Sequence, residues 1–131
     1  MARRVMTHLM FEGVAEKAMS FYVSLFADSQ ICRVERYGPG EHGAEGTVKT
    51  ANFLLGGREF LCIDSPVKHD FTFTPAMSIF VDCESESELE QAFRQLAEGG
   101  VVLMPLNNYG FSAKFGWIKD RFGVSWQLNL P

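Results

Sequence analysis

The sequence predicts an α+β fold built from two successive β-α-β-β-β modules, and three observations carry that prediction. Helical periodicity with one apolar face occurs in only two stretches, one after Val14 and one after Ser85. Each is preceded by a short β-rich run and followed by three more. The two halves share this order without obvious residue identity, as a duplicated and diverged unit would. One such unit is too small to cover its own sheet. Two of them, about residues 5–64 and 77–130 of a single domain spanning 1–131, predict a curved mixed sheet of eight strands around a cleft, helices outside.

The elements follow in order. Residues 5–11, VMTHLMF, have strand length and composition and stop at Glu12-Gly13. Val14, Ala18, Phe21, Tyr22, Leu25 and Phe26 recur at helical spacing, until Asp28-Ser29 breaks the pattern. Ile31 to Tyr37 reads as a strand, and the loop GPGEHGAEG after it has the length and glycines of a mobile lid. Thr47–Leu55 and Arg58–Asp64 are β-rich runs joined by Gly56-Gly57, which supplies positive φ at both positions of a tight hairpin.

After a linker interrupted by Pro66 and Pro75, Met77 to Cys83 forms the first strand of the second module. Ser85 with Glu88 three residues on is a capping box, and Glu84, Glu86 and Glu88 complement the helix dipole. The helix runs to about Glu98 with Leu89, Ala92, Phe93 and Leu96 on its buried face, and Gly99-Gly100 closes it. Val101–Met104, the loop PLNNYGFS, Lys114–Lys119 and Gly123–Leu130 complete the module. In the last strand Val124, Trp126, Leu128 and Leu130 alternate with Ser125, Gln127 and Asn129. With the apolar set under the helix, the polar set looks into the cleft.

Composition bounds the function. Across 131 residues the apolar fraction is 47% and the charged fraction 21%, near globular averages. A net charge of −4 with scattered Lys and Arg argues against a nucleic-acid partner, which would need clustered cations to displace counterions. No run approaches the roughly 20 apolar residues of a membrane span, and the N-terminal MARRVMTHLMFEG lacks a signal-peptide pattern. Cys32, Cys62 and Cys83 are odd in number and lack metal-knuckle spacing, so buried reduced thiols and a cytoplasmic location are expected.

The segments SFYVSLFADSQI, FTFTPAMSIFVDC, AEGGVVLMPLNNYGFS and FGWIKDRFGVSWQL together resemble the PhnB-like branch of the glyoxalase/bleomycin-resistance/dioxygenase superfamily, with its vicinal-oxygen-chelate fold. The resemblance covers nearly the whole chain. It implies paired βαβββ modules and a homodimer, and this branch carries the name 3-demethylubiquinone-9 3-methyltransferase. Methyl transfer would call for an S-adenosylmethionine site, usually a glycine-rich turn from strand to helix. Here Gly38-Pro39-Gly40 and Gly56-Gly57 lead onward to strands, so the name is read as a fold-level association.

In the superfamily's metal enzymes, His, Glu or Gln from module strands hold an ion with open positions for substrate oxygens. The resemblance maps the first-strand position to Thr7, with His8 one residue away, the hairpin position to Leu61, the fifth-strand position to Met77 and the last-strand position to Gln127, where Glu is usual. Thr7 and His8 cannot both face the cleft, since one residue of slip reverses the face. With Thr7 inward the donor set is Thr, Leu, Met and Gln; with His8 inward a His8–Gln127 pair remains, still short of a ligand cage. The expectation is therefore a site without metal or other cofactor, binding a small-molecule ligand through Thr7, Asn52, Tyr109, Trp117 and Gln127. Thr50 is a further polar neighbour of Asn52, and Phe111 and Phe115 accompany the aromatics. His42 and His69 are expected in solvent. Asp64, Asp82 and Asp120 stand at strand ends, where aspartate more often caps a turn than catalyses. The open alternatives are a metal-dependent lyase, dioxygenase or thiol-transferase, and a sequestering protein of the resistance type.

Overall fold

The computed structural model describes residues 1–131, and the chain divides into two compact units, Met1–His69 and Asp70–Pro131. The first contains β1 (Thr7–Phe11), α1 (Ala15–Val23), β2 (Gln30–Arg36), β3 (Val48–Leu55) and β4 (Arg58–Asp64). The second contains β5 (Ser78–Asp82), α2 (Glu86–Ala97), β6 (Val101–Asn107), β7 (Lys114–Lys119) and β8 (Ser125–Leu130). All eight strands and both helices expected from the sequence are present. Hydrogen bonding divides the strands into two four-stranded sheets, ordered β1-β4-β3-β2 and β5-β8-β7-β6, rather than one continuous ladder of eight. Each sheet is mixed, with its first strand parallel to its last and the other pairs antiparallel. The repeated element order thus corresponds to a repeated topology.

In the first unit the parallel pairing places Thr7, Leu9 and Phe11 opposite Phe60, Cys62 and Asp64. Ala51 and Phe53 of β3 join this face opposite Cys62 and Phe60. Ala15, Ala18, Met19 and Tyr22 of α1 are buried, and the Cys62 thiol lies 3.8 Å from Met19 Sδ, so this is the helix-covered face. Val14 at the N-cap of α1 offers no side-chain cap. The cap comes from β4 instead: Asp64 Oδ1 accepts from the Gly13 N–H at 2.7 Å and the Ala15 N–H at 3.0 Å. Asp64 Oδ2 accepts from the Val48 N–H at 2.9 Å, so one carboxylate ties helix, edge and hairpin together. Helix α1 stops at Val23, short of Phe26, because Ser24 and Leu25 donate to Phe21 and Tyr22 in tightened turns and Asp28 then adopts φ 54°.

Gly56 and Gly57 take φ 54° and 81°, the positive pair that a two-residue hairpin between Leu55 and Arg58 requires. The glycine-rich loop after β2 differs from the mobile lid its composition predicts. It folds back on its own hairpin: Gly46 N–H donates to Tyr37 O, Glu41 accepts from Gly38 N–H and pairs with Lys49, and Gly43 packs so closely on the buried Tyr37 ring that a Cβ would overlap it.

In the second unit α2 buries Leu89, Ala92, Phe93 and Leu96, each worth roughly 1.5–3 kcal/mol for the larger side chains. Ser85 Oγ accepts from Glu88 N–H at 3.1 Å, and the Glu88 carboxylate accepts from Glu84 N–H at 3.0 Å, a capping box reaching one residue further back. The helix packs on Trp126, Leu128 and Ile118, all fully buried, and on Gly116, whose missing side chain makes room for Phe93. Asp120 repeats the role of Asp64, accepting from Phe122 and Val124 N–H groups and, at 2.9 Å, from Trp126 Nε1. Strand β6 runs three residues past its expected end, through Pro105 to Asn107, on an outer edge where proline interrupts nothing.

Candidate functional site

The helix-free face of the second sheet is built by three cross-strand rows. One end carries Ser78, Ser125 and Lys119; the middle carries Phe80, Gln127 and Trp117, followed by Met104; the other end carries Asp82, Asn129 and Phe115, followed by Asn107. The alternation in β8 falls as its pattern predicts: Trp126 and Leu128 are fully buried under α2, and Gln127 and Asn129 are half-exposed on the opposite face. Trp117 and Gln127, singled out from sequence, are direct cross-strand neighbours.

These side chains are joined by hydrogen bonds. Trp117 Nε1 donates to Ser125 Oγ at 2.8 Å, the Ser125 and Ser78 hydroxyls are 2.7 Å apart, and Gln127 Nε2 donates to Ser78 Oγ at 3.1 Å. Asn129 Nδ2 is held by Asp82 at 2.8 Å, which accounts for Asp82 as a partner of the sheet end. Beside this row lies an aromatic cluster. Phe115 has Phe111 at 5.0 Å, Tyr109 edge-on at 6.1 Å and Phe80 at 6.4 Å between ring centroids. Phe115 is buried, but Phe80 and Phe111 remain more than half exposed, and Tyr109 is anchored by its hydroxyl to Pro105 O at 2.6 Å. Charges stand only at the ends of the face, Lys119 at one and Asp82 at the other.

On the first sheet, the helix-free face carries His8 and Met10, then Leu61 and Ile63, then Asn52, by the same register. Thr7 falls on the helix-covered face opposite Phe60, which corrects its assignment to the ligand-binding set: of the two neighbours it is His8, solvent-exposed, that shares a face with Asn52 and Leu61. The pairing partner of β1 fixes this, and alternation alone does not. Asn52 is 8% exposed and donates weakly toward Glu59 at 3.5 Å, which is paired in turn with Arg4 at 3.2 Å. Met77 lies before β5 and is largely exposed.

No three His, Cys, Asp or Glu side chains come together as a metal would need. In the second unit Gln127 is flanked by two aromatics and a serine, and in the first His8 is flanked by Leu61; these donors do not fit a divalent ion. Asp64 and Asp120 are committed to backbone and indole donors, which removes them as acid/base groups. His69 is not free in solvent: its ring meets Ser65 Oγ at 2.9 Å and its N–H reaches Glu12. Of the cysteines, Cys62 and Cys83 are buried and burial pushes both thiols up to about 12, whereas Cys32 is exposed at an irregularity of edge strand β2. Phe80 and Ser78 are the functional candidates that sequence reasoning missed, because the consecutive Ile79, Phe80 and Val81 of SIFVD mark neither face of the strand as the open one.

Comparison with known proteins fits this geometry. The family model described as 3-demethylubiquinone-9 3-methyltransferase matches residues 3–129. A PhnB protein of Bacillus cereus that carries the same methyltransferase name is 56% identical, with a TM-score of 0.96, covering 98% of this chain and all of that one. The Pseudomonas aeruginosa protein PA1353 is 28% identical with a TM-score of 0.85, covering 98% of each chain. The fosfomycin resistance protein FosX of Listeria monocytogenes shares the fold at 13% identity, with a TM-score of 0.65 over 100% of this chain and 94% of its own. No curated protein matches the sequence. The chain belongs to the PhnB-type 3-demethylubiquinone-9 3-methyltransferase family and has the glyoxalase/bleomycin-resistance, or vicinal-oxygen-chelate, fold.

Proposed function

We propose that this protein binds a small, partly apolar molecule in a cleft walled by the helix-free face of its second module, without a bound divalent ion and without transferring a methyl group. The observation that carries the reading is the row Phe80–Gln127–Trp117: an amide between two aromatic side chains, on a face whose charges stand at its ends. Such a face excludes water from one side of a ligand and orients it by one or two hydrogen bonds. The helix N-termini also argue against a phosphate-bearing ligand. That of α1 is filled by Asp64, and that of α2 is ringed by Glu84, Glu86 and Glu88. The exposed apolar side chains Val101, Val102 and Leu103 on edge strand β6 support a homodimer, and three unpaired thiols support a reducing, cytoplasmic location.

A thermal-shift screen of small uncharged and singly charged aromatics tests the reading, with Trp117→Phe as control and mass spectrometry of the recovered ligand. Stabilisation that depends on Trp117 and returns the ligand unchanged supports binding. Conversion of the ligand would support an enzyme instead. A stoichiometric divalent ion in protein purified without chelator, lost on Gln127→Ala, would overturn the metal-free part. Light scattering at twice the 14.7 kDa chain mass is the outcome expected of a homodimer.

A further inference from the structure

On the ligand-binding reading above, the hydrogen-bond donors on the helix-free face of the second module specify the kind of ligand. Ser125 is 1% exposed and accepts from Trp117 Nε1, so its own proton needs a buried acceptor, and Ser78 Oγ at 2.7 Å is the acceptor in reach. Were the Ser78 hydroxyl to donate to Ser125 instead, the Ser125 proton would be stranded inside the protein, an arrangement disfavoured by the cost of an unmet buried donor. Ser78 Oγ therefore receives Ser125 O–H and Gln127 Nε2–H, and its own proton is left to point outward from a half-exposed position. With its Nε2 committed to Ser78, Gln127 presents Oε1 as an acceptor. A donor and an acceptor, both uncharged, thus stand side by side.

The walls around that pair are flat. Phe80 and Trp117 occupy the strands on either side of Gln127, whose backbones stand about 9.5 Å apart by two strand spacings. Phe80 leans toward Phe115 at 6.4 Å at one end of the face, and Trp117 turns its indole nitrogen toward Ser125 at the other, with Gln127 partly exposed in the row between them. We propose that this is a subsite for an uncharged planar ring carrying a donor next to an acceptor, a lactam or cyclic amide edge, whose N–H meets Gln127 Oε1 and whose carbonyl accepts from Ser78 O–H. A carboxylate ligand would set its charge against Gln127 Oε1, and a cation would leave the Ser78 proton without an acceptor.

The test uses three probes on the full chain, read by Trp117 fluorescence in a Trp126→Phe background and, independently, by ligand-observed NMR on the unaltered protein: isoquinolin-1(2H)-one, its N-methyl derivative and 1-naphthoate. The expected order is the lactam first, with the N-methyl compound and the naphthoate each about tenfold weaker or worse, since each leaves a site group unmet. Gln127→Leu should abolish the preference of lactam over N-methyl lactam. Equal binding of lactam and N-methyl lactam, or tighter binding of naphthoate, would overturn the donor–acceptor assignment while leaving a small-molecule site standing. No binding of any of the three overturns this assignment, and the general reading falls with it only if the wider thermal-shift screen is also empty.

Discussion

Asp64 offers the sharpest test of whether a buried carboxylate here serves structure or chemistry. Its two oxygens accept from Gly13, Ala15 and Val48 N–H groups at 2.7, 3.0 and 2.9 Å. Ala15 and Val48 are fully buried, so in Asp64→Ala no water can replace the lost acceptor for either, whereas Gly13 is exposed and can be solvated. Two stranded N–H groups at about 1–3 kcal/mol each place the loss at about 2–6 kcal/mol. Asp64→Asn keeps one oxygen and points an N–H₂ at the remaining donor, so it should lose less than alanine but more than a surface substitution. In urea, with a slope of about 1–3 kcal/mol/M, the alanine variant should lower the unfolding midpoint by about 0.7 M or more with the slope unchanged. The folded fraction should still bind ligand with wild-type affinity. A midpoint within about 0.3 M of wild type, or a variant that keeps its stability but loses ligand binding, would refute the structural role.

Four further outcomes follow from the packing and the thiols. Gly116→Ala would bring a Cβ to 2.5 Å from the Phe93 ring and 2.7 Å from Leu106, and should cost about 1–3 kcal/mol in chemical denaturation. Ser112 Oγ is buried without a hydrogen-bond partner, so Ser112→Ala should raise the melting temperature or leave it unchanged, where most serine-to-alanine changes at a satisfied hydroxyl lower it. The Cys62 and Cys83 thiols, pushed by burial from the ordinary 9.0 up to about 12, stay protonated in the folded chain after the unfolded chain has ionised. Their contribution to stability is therefore fully present below pH 9 and is lost as pH rises toward about 12, a slope that Cys62→Ala/Cys83→Ala should flatten in pH-dependent melts. At neutral pH a thiol reagent should label Cys32 alone in the native protein and all three after denaturation.

Much of this was legible in the residues because the signals are local. The Gly56-Gly57 turn, the Ser85/Glu88 cap and the apolar stripe of α2 each arise from a few neighbouring residues, and each is present in the structure. The alternation in β8 likewise marked Trp126 as the dry side and Gln127 as the open one. Local pattern failed where the deciding partner is distant in sequence. Helix α1 has no cap of its own, and its N-terminus is set by Asp64 about fifty residues on. Cys32 looked like a buried strand thiol, but β2 is an edge strand with a register irregularity, and the sheet order alone reveals that.

The sequence by itself determined the element order, the twofold repeat and the family, and it marked Trp117 and Gln127 as candidates, which the structure makes cross-strand neighbours. Tertiary structure decided which faces meet: that Thr7 shares the face of Leu9 and Phe11 while His8 and Asn52 share the open side, and that Phe80 and Ser78 of β5 come beside Gln127. The reason is physical. A strand's sequence fixes the alternation of its two faces, but the identity of each face depends on a parallel pairing across some fifty residues, and a one-residue shift in that pairing would exchange them all.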